Sequence, residues 1–206
     1  MTLPVLAYGD RALLVELGDT DRVVGYVDAL RAAGLVGVAD VVPAAETVLV
    51  VAADGASTST LAARLAELEP TLGAAPEDGP LVEVPVVYDG PDLADVAALT
   101  GLSAAEVVAV HTGQTWRVAF GGFAPGFGYL VGENHRLQVP RRASARTSVP
   151  AGAVGLAGDY SGVYPRESPG GWQLIGTTGA SMWDLHRDPP ALLTPGARVR
   201  FVEVGR

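Results

Sequence analysis

The chain has 206 residues, 49% of them apolar, with no cysteine and a net charge of −9. This length suffices for one large or two small domains with a proper core, and the acidic balance argues against a nucleic-acid partner, whose phosphates need basic side chains. All 14 basic residues are arginine, so a Walker lysine, a Schiff-base lysine and a biotinyl-lysine are excluded, as are disulfides, thiolate nucleophiles and cysteine metal sites.

The N-terminal stretch MTLPVLAYGDRALLVELGD has acids inside its apolar run and no basic segment before it. It reads as strand and not as a signal peptide, and no later apolar run approaches the roughly 18 to 20 residues of a membrane span, so a cytoplasmic protein without a membrane role is expected. VLAYGDRALLVEL predicts two short strands around Gly9-Asp10. Asp19 or Thr20 can cap the helical DRVVGYVDALRAAG, which Gly34 ends. VADVVPAAETVLVVAA predicts two more strands with a turn near Pro43, and STSTLAARLAELEPTLG a second helix. Two strands, a helix, two strands and a helix make a compact α/β sandwich resembling ferredoxin-like folds. Residues 73–80, GAAPEDGP, read as a linker. The expected class is therefore α+β, with a small N-terminal domain over residues 1–78 and a second domain over residues 79–206.

In the second domain LVEVPVVYD predicts a strand and PDLADVAALTGLSAAEVVAVHTG two helices, with Ser103 and Glu106 at capping-box spacing. From Thr115 onward short apolar runs (WRVAFG, AGAVGLAG, GWQLIGTT, ARVRFVEV) alternate with Gly and Pro turns, the pattern of a closed or nearly closed β-barrel. Charge is uneven. Residues 1–80 carry 4 Arg against 12 acids, residues 81–206 carry 10 Arg against 11 acids, and four arginines between Arg136 and Arg146 have no acid among them. Such a positive patch on an acidic protein suits an anion.

Three segments carry the candidate chemistry. GGFAPGFGYL, residues 121–130, is a turn or a pocket wall, its glycines permitting close approach and Phe123, Phe127 and Tyr129 supplying flat surface. VPRRASARTSVP places Arg141, Arg142 and Arg146 beside the hydroxyls of Ser144, Thr147 and Ser148; Arg142 and Arg146 are four apart between prolines that disfavour a helix, so in an extended chain they share a face and suit a carboxylate or phosphate. GDYSGVYPRESPGGW brings Tyr164 and Glu167 before a sharp reversal and Trp172 after it, with Glu167 the candidate general base and Asp159 behind it. His111 falls near a helix end, where the dipole favours an imidazolium, and reads as structural. His135 and His186 have no partner at ligand spacing, so no metal site is expected.

The ordered segments GFAPGFGYL, VPRRASAR, SVPAGAVGLAG and YPRESPGGWQLIGTT, with GDRALLVELGD before them and PGARVRF after, closely resemble the family of 5-oxoprolinase B-type subunits (PxpB), also called KipI or allophanate hydrolase subunit 1. The resemblance implies a small α/β domain followed by a cyclophilin-like barrel, a statement of fold and not of prolyl isomerase activity. It implies a non-autonomous subunit of an ATP-dependent enzyme that opens 5-oxoproline to glutamate. Its partners would be the C-type subunit, a second cyclophilin-like barrel protein, and a third hydrolase subunit. ATP, with Mg2+ as a candidate companion, is expected at the complex and not on this chain alone. The family often has Pro where Ala145 stands and Thr where Val139 stands.

Carried onto this chain, the resemblance implies a pocket between this barrel and that of the C-type partner, at which Phe123, Phe127 and Tyr129 pack a five-membered lactam and the exposed N–H groups beside Gly126 meet oxygen. Arg142 and Arg146 would hold an anion, and Tyr164, Glu167, Gly170, Gly171 and Trp172 would line the opposite side, Tyr164 and Glu167 being the catalytic candidates. Two other functions known in the family stand beside this one: inhibition of a sporulation histidine kinase, and the carboxyltransferase half of a urea carboxylase or allophanate-type system.

Overall fold

A computed structural model describes residues 3–71 and 81–205, so the segment read as a linker lies wholly outside the described residues. The chain divides into two compact units, Met1–Ala75 and Pro76–Arg206.

The first unit runs β1 (Val5–Tyr8), β2 (Ala12–Glu16), α1 (Thr20–Ala33), β3 (Val38–Pro43), β4 (Thr47–Ala52) and α2 (Thr58–Glu67). Its sheet has the order β1-β2-β4-β3, every neighbouring pair antiparallel. β2 and β3 are consequently parallel with β4 between them. The local signals act as the sequence implies: the Asp19 carboxylate accepts the Arg22 N–H, and Gly34 closes α1 at φ 53, a left-handed angle that suits glycine. Alternation sends Leu13, Val15, Val48 and Val50 into a core with Val23, Tyr26, Leu30, Leu61 and Leu65 from the helices. The Tyr26 hydroxyl donates to the Leu65 carbonyl at 2.8 Å, tying α1 to α2 inside that core.

The second unit contains β5 (Leu81–Val86), α3 (Leu93–Thr100), α4 (Ala104–Thr112), β6 (Trp116–Gly121), β7 (Gly128–Gly132), β8 (Arg146–Val149), β9 (Ala153–Ala157), β10 (Tyr160–Val163), β11 (Ser168–Gly170), β12 (Gln173–Thr177) and β13 (Arg198–Glu203). Seven strands form one sheet in the order β12-β9-β10-β7-β6-β13-β5, and β8 and β11 form a separate ribbon. Val87 and Thr177 exchange backbone hydrogen bonds at 2.9 and 2.8 Å, drawing the two ends of the sheet together into a nearly closed barrel, which is consistent with a cyclophilin-like fold. Val84, Val118, Leu130, Leu156, Val163, Ile175 and Phe201 fill it, with Val96 and Val107 from the helices.

β9 explains how the barrel carries a site. Val154 and Leu156 belong to the barrel core, whereas Ala153 and Ala157 belong to a second cluster with Phe127, Tyr164 and Trp172. The strand is buried on both faces, which is why AVGLA reads as an unbroken apolar run. Ser103 and Glu106 form the expected capping box at the start of α4. His111, at its other end, differs from the helix-dipole expectation. Its ring is fully buried against Phe201, between the Tyr88 hydroxyl at Nδ1 (2.7 Å) and Ser161 Oγ at Nε2 (2.9 Å), and burial pushes its pKa down to about 3. Loss of solvent outweighs the dipole, and the imidazole is neutral. No single described helix is long and apolar enough to cross a membrane; α3 and α4, bent by 89°, together reach such a length, and their apolar faces pack into the barrel core.

Candidate functional site

The two ends of the GGFAPGFGYL segment are strand: β6 ends at Gly121, β7 begins at Gly128, and the two pair there. The connection is the tight loop 122–127, held by hydrogen bonds from the Phe127 N–H to the Ala124 carbonyl (3.0 Å) and from the Gly122 N–H to the Phe127 carbonyl (3.2 Å). Phe123 takes φ 63, a left-handed angle unusual for a bulky side chain. Gly126 combines φ 85 with a close approach in which a Cβ would stand 2.9 Å from the Met182 carbonyl oxygen, so no other residue fits there without movement.

Phe127 is the hub of an aromatic cluster. Its ring lies edge-on to Tyr129 (5.0 Å between centroids), Phe123 and Trp172 (both 5.3 Å) and Tyr164 (5.5 Å). Gly162 in β10 makes room beneath: a Cβ on it would lie 3.0 Å from both Phe127 and Trp172. Above these rings opens a cavity of about 520 Å³, lined by Phe123, Phe127, Tyr129, Tyr160, Tyr164 and Trp172, with Arg141, Pro140, Pro169 and Gly170 at its other walls. That volume and apolar lining suit a small molecule. Burial raises the pKa of Tyr164 and Tyr129, with the Arg141 charge opposing, so both phenols keep their protons at neutral pH.

The cavity thus unites Phe123, Phe127, Tyr129, Tyr164, Gly170 and Trp172. Gly126 and Gly171 are buried in the framework behind it, Gly171 accepting the Arg142 N–H at 2.8 Å. Glu167 is exposed and lies outside the cavity lining. Arg142 and Arg146 do share a face, as their spacing implies, but that face meets Asp92. Arg142 Nη1 and Arg146 Nη2 donate to the same Asp92 Oδ1 at 2.5 and 2.7 Å, and Oδ2 accepts the Leu174 N–H at 2.7 Å. The Asp92 carboxylate is 2% exposed, so this is a buried ion cluster: the two guanidiniums already hold a carboxylate, and neither lines the cavity. Burial, the largest single influence on Asp92, raises its pKa, but the Arg146 hydrogen bond, the Leu174 N–H and the two arginine charges together bring it below the usual value.

The sequence reading missed Asp92 and Tyr160, and it named Arg141 beside Arg142 and Arg146 without giving it the anion role; in the structure Arg141 faces the cavity between Pro140 and Arg142. The signal for Arg141 was present in parity, since a residue adjacent to Arg142 in extended chain points the opposite way. Among the described residues no group of three or more His, Asp or Glu side chains could hold a metal ion.

Residues 3–193 match the family described as carboxyltransferase domain, subdomain C and D. The chain is 54% identical to a 5-oxoprolinase B-type subunit of Escherichia coli O157:H7 over 124 residues, 59% of this chain and 57% of that protein. It is 40% identical to the B-type subunit of the same enzyme from Haemophilus influenzae over 148 residues, 70% of each. Among solved structures it is similar to TTHA0988, with TM-score 0.75 and 36% identity over 96% of this chain and 40% of that one. It shares the fold of Kluyveromyces lactis urea carboxylase, with TM-score 0.69 and 21% identity over 98% of this chain and 22% of that one. The matched segment thus spans little more than half of the E. coli relative's length. These matches and the cavity-bearing barrel lead to one conclusion: the chain belongs to the carboxyltransferase subdomain C and D family, in the branch of the 5-oxoprolinase B-type subunits.

Proposed function

We propose that the chain acts as the B-type subunit of a cytoplasmic, ATP-dependent 5-oxoprolinase, and that its aromatic cavity takes the lactam ring. The observation that carries this reading is the cavity itself: flat rings on most walls, with one guanidinium at the edge. In the overall reaction water adds to the lactam carbonyl, the ring C–N bond breaks, the nitrogen gains a proton to become the amine of glutamate, and ATP is hydrolysed alongside. Tyr164, protonated and lining the cavity, would hydrogen-bond the lactam oxygen or nitrogen. Glu167 would serve as a base only where a partner encloses the exposed turn that bears it.

The chain has no lysine for a nucleotide phosphate, so ATP, with Mg2+, would be handled at the assembled complex with the C-type subunit and a third hydrolase subunit. The first unit supports a ferredoxin-like reading: β2-α1-β3 with β4 between is the split βαβ of that fold, and β1 stands where its last strand would, so the chain enters that fold one strand early. The similarity to urea carboxylase favours a second reading, carboxyl transfer on a urea-type substrate with biotin carried by another chain.

The experiment is to purify the chain alone and with its two candidate partner subunits, and to measure glutamate and ADP formed on adding 5-oxoproline. Turnover only in the assembled set is expected. Turnover by the chain alone would refute the shared-subunit reading, and urea-dependent carboxylation without 5-oxoproline turnover would favour the second.

A further inference from the structure

We propose that Arg141 selects for a carboxylate on the ring that the cavity takes, and that Asp92 is the residue that positions it, by drawing Arg142 and Arg146 to the opposite side of the segment. This rests on reading the cavity as the substrate site. Three observations converge on it. The backbone on either side of Arg141 is tied down: Gln173 Nε2 donates to the Pro140 carbonyl at 3.2 Å, and the Arg142 N–H donates to the Gly171 carbonyl at 2.8 Å. The two neighbouring guanidiniums are committed to Asp92, whose other oxygen is fixed to β12 through Leu174. Arg141 itself borders the cavity, leans over Gly171 and makes no hydrogen bond or ion pair with a described residue.

The cavity lining includes no Asp or Glu, so no carboxylate there competes for the Arg141 donors. A planar guanidinium at the edge of an aromatic slot matches a flat ring with a carboxylate on its rim: the rings hold the plane, and the fork takes both carboxylate oxygens. An uncharged ring of the same shape satisfies only the walls. Arg142 and Arg146 would compete with Arg141 for the same anion if they were free, and the buried Asp92 removes that competition while setting the register of the segment.

The test uses two probes that share a ring and differ in one group, 5-oxoproline and 2-pyrrolidinone, titrated by NMR against the full chain and its variants. The unmodified chain should prefer 5-oxoproline by about tenfold to a hundredfold, the range of a charge-assisted hydrogen-bonded pair. Arg141→Gln should abolish that preference while leaving 2-pyrrolidinone binding unchanged. Asp92→Asn should reduce the preference, again without affecting the neutral probe, a selectivity that general loosening of the fold would not produce. Arg142→Gln, which leaves Asp92 with one arginine, gives a second arm should Asp92→Asn fail to fold, and the same partial loss is expected of it. A full preference in Arg141→Gln would overturn the role of Arg141 while the cavity reading stands. A full preference in folded Asp92→Asn, or in Arg142→Gln where that variant alone folds, would overturn the positioning role. Failure of the unmodified chain to bind either probe would overturn the cavity reading and this inference with it.

Discussion

Asp92 and Leu174 are separated by 82 residues of chain, yet the carboxylate of one accepts the backbone N–H of the other at 2.7 Å. The same carboxylate holds Arg142 and Arg146, so the start of α3, the arginine segment and β12 meet at a single buried group. Asp92→Ala should therefore cost about 3–5 kcal/mol of stability, since it leaves two poorly solvated cations and an unpaired N–H. Urea unfolding of the variant is the measurement. Adding Arg142→Met and Arg146→Met to Asp92→Ala should recover a large part of the loss, because the stranded charges are then gone; no recovery would mean that packing, and not charge, sets the cost. The pH dependence has a defined sign. The folded-state pKa of Asp92 is lowered, so its contribution is present above the ordinary aspartate value and is lost as pH falls through the folded-state value.

His111 predicts an acid-side effect of different origin. Its folded pKa of about 3 lies below the value near 6.5 of an exposed histidine, so between these the unfolded chain binds more protons and stability falls with falling pH. Above about pH 6.5 the group contributes no pH dependence. His111→Gln, which can still hydrogen-bond Tyr88 or Ser161, should be less stable at pH 7.5 but lose less on acidification. The gap between variant and parent should narrow by on the order of a few kcal/mol by pH 4. Parallel stability curves from pH 7.5 to pH 4 would show that the imidazole is not held neutral.

The sequence reads well where the interactions are local. Asp19, Gly34 and the Ser103–Glu106 capping box sit within a few residues of the groups they satisfy, and each does what its type and spacing imply. The rings beside the glycine turns read equally as turn packing or as a pocket wall, since either use needs flat apolar surface; the structure lines a cavity with them. The arginines show where this stops. Spacing put Arg142 and Arg146 on one face, but whether that face meets a ligand or a protein carboxylate depends on Asp92, 50 residues away from Arg142 and joined to it only by the closing of the barrel. The sequence reading did not separate β7, β8, β10 and β11 as strands, because β8, β10 and β11 are only three or four residues long and β7 begins inside the glycine-rich segment. The GGFAPGFGYL loop looked longer than it is, since the glycines at its ends belong to paired strands.

Gly162 gives a direct test of the cavity floor. A methyl group there would press on both Phe127 and Trp172 from 3.0 Å, and the Gly128 carbonyl oxygen stands at 3.1 Å behind them. Gly162→Ala should cost about 1–3 kcal/mol through overpacking and push the two rings into the space above. Ligand binding should fall by more than the stability loss explains, since the protein remains folded under assay. A variant with a normal melting temperature and normal 5-oxoproline titration would show that the rings can shift without changing the cavity.

Phe123 carries the last prediction, because its backbone and its side chain make opposite demands. At φ 63 its Cβ crowds the following carbonyl, a conformation that costs an ordinary residue about 1–2 kcal/mol. The ring nevertheless stands 57% exposed at the cavity edge, 5.3 Å from Phe127 and 6.0 Å from Tyr164, so little burial repays that strain. Two substitutions separate the terms. Phe123→Ala and Phe123→Gly remove the same ring, but only the glycine relieves the backbone. At an ordinary position glycine is the less stable of the two by roughly 0.5–1 kcal/mol, because it gives the unfolded chain more freedom. Here that order should reverse, with Phe123→Gly the more stable by thermal or urea unfolding. Both variants should bind 5-oxoproline more weakly, and to a similar extent, if the ring is a wall of the site. Alanine proving the more stable would show that the loop relaxes out of the left-handed angle once the ring is gone, and that the ring's contacts with Phe127 and Tyr164 hold Phe123 in its unusual conformation.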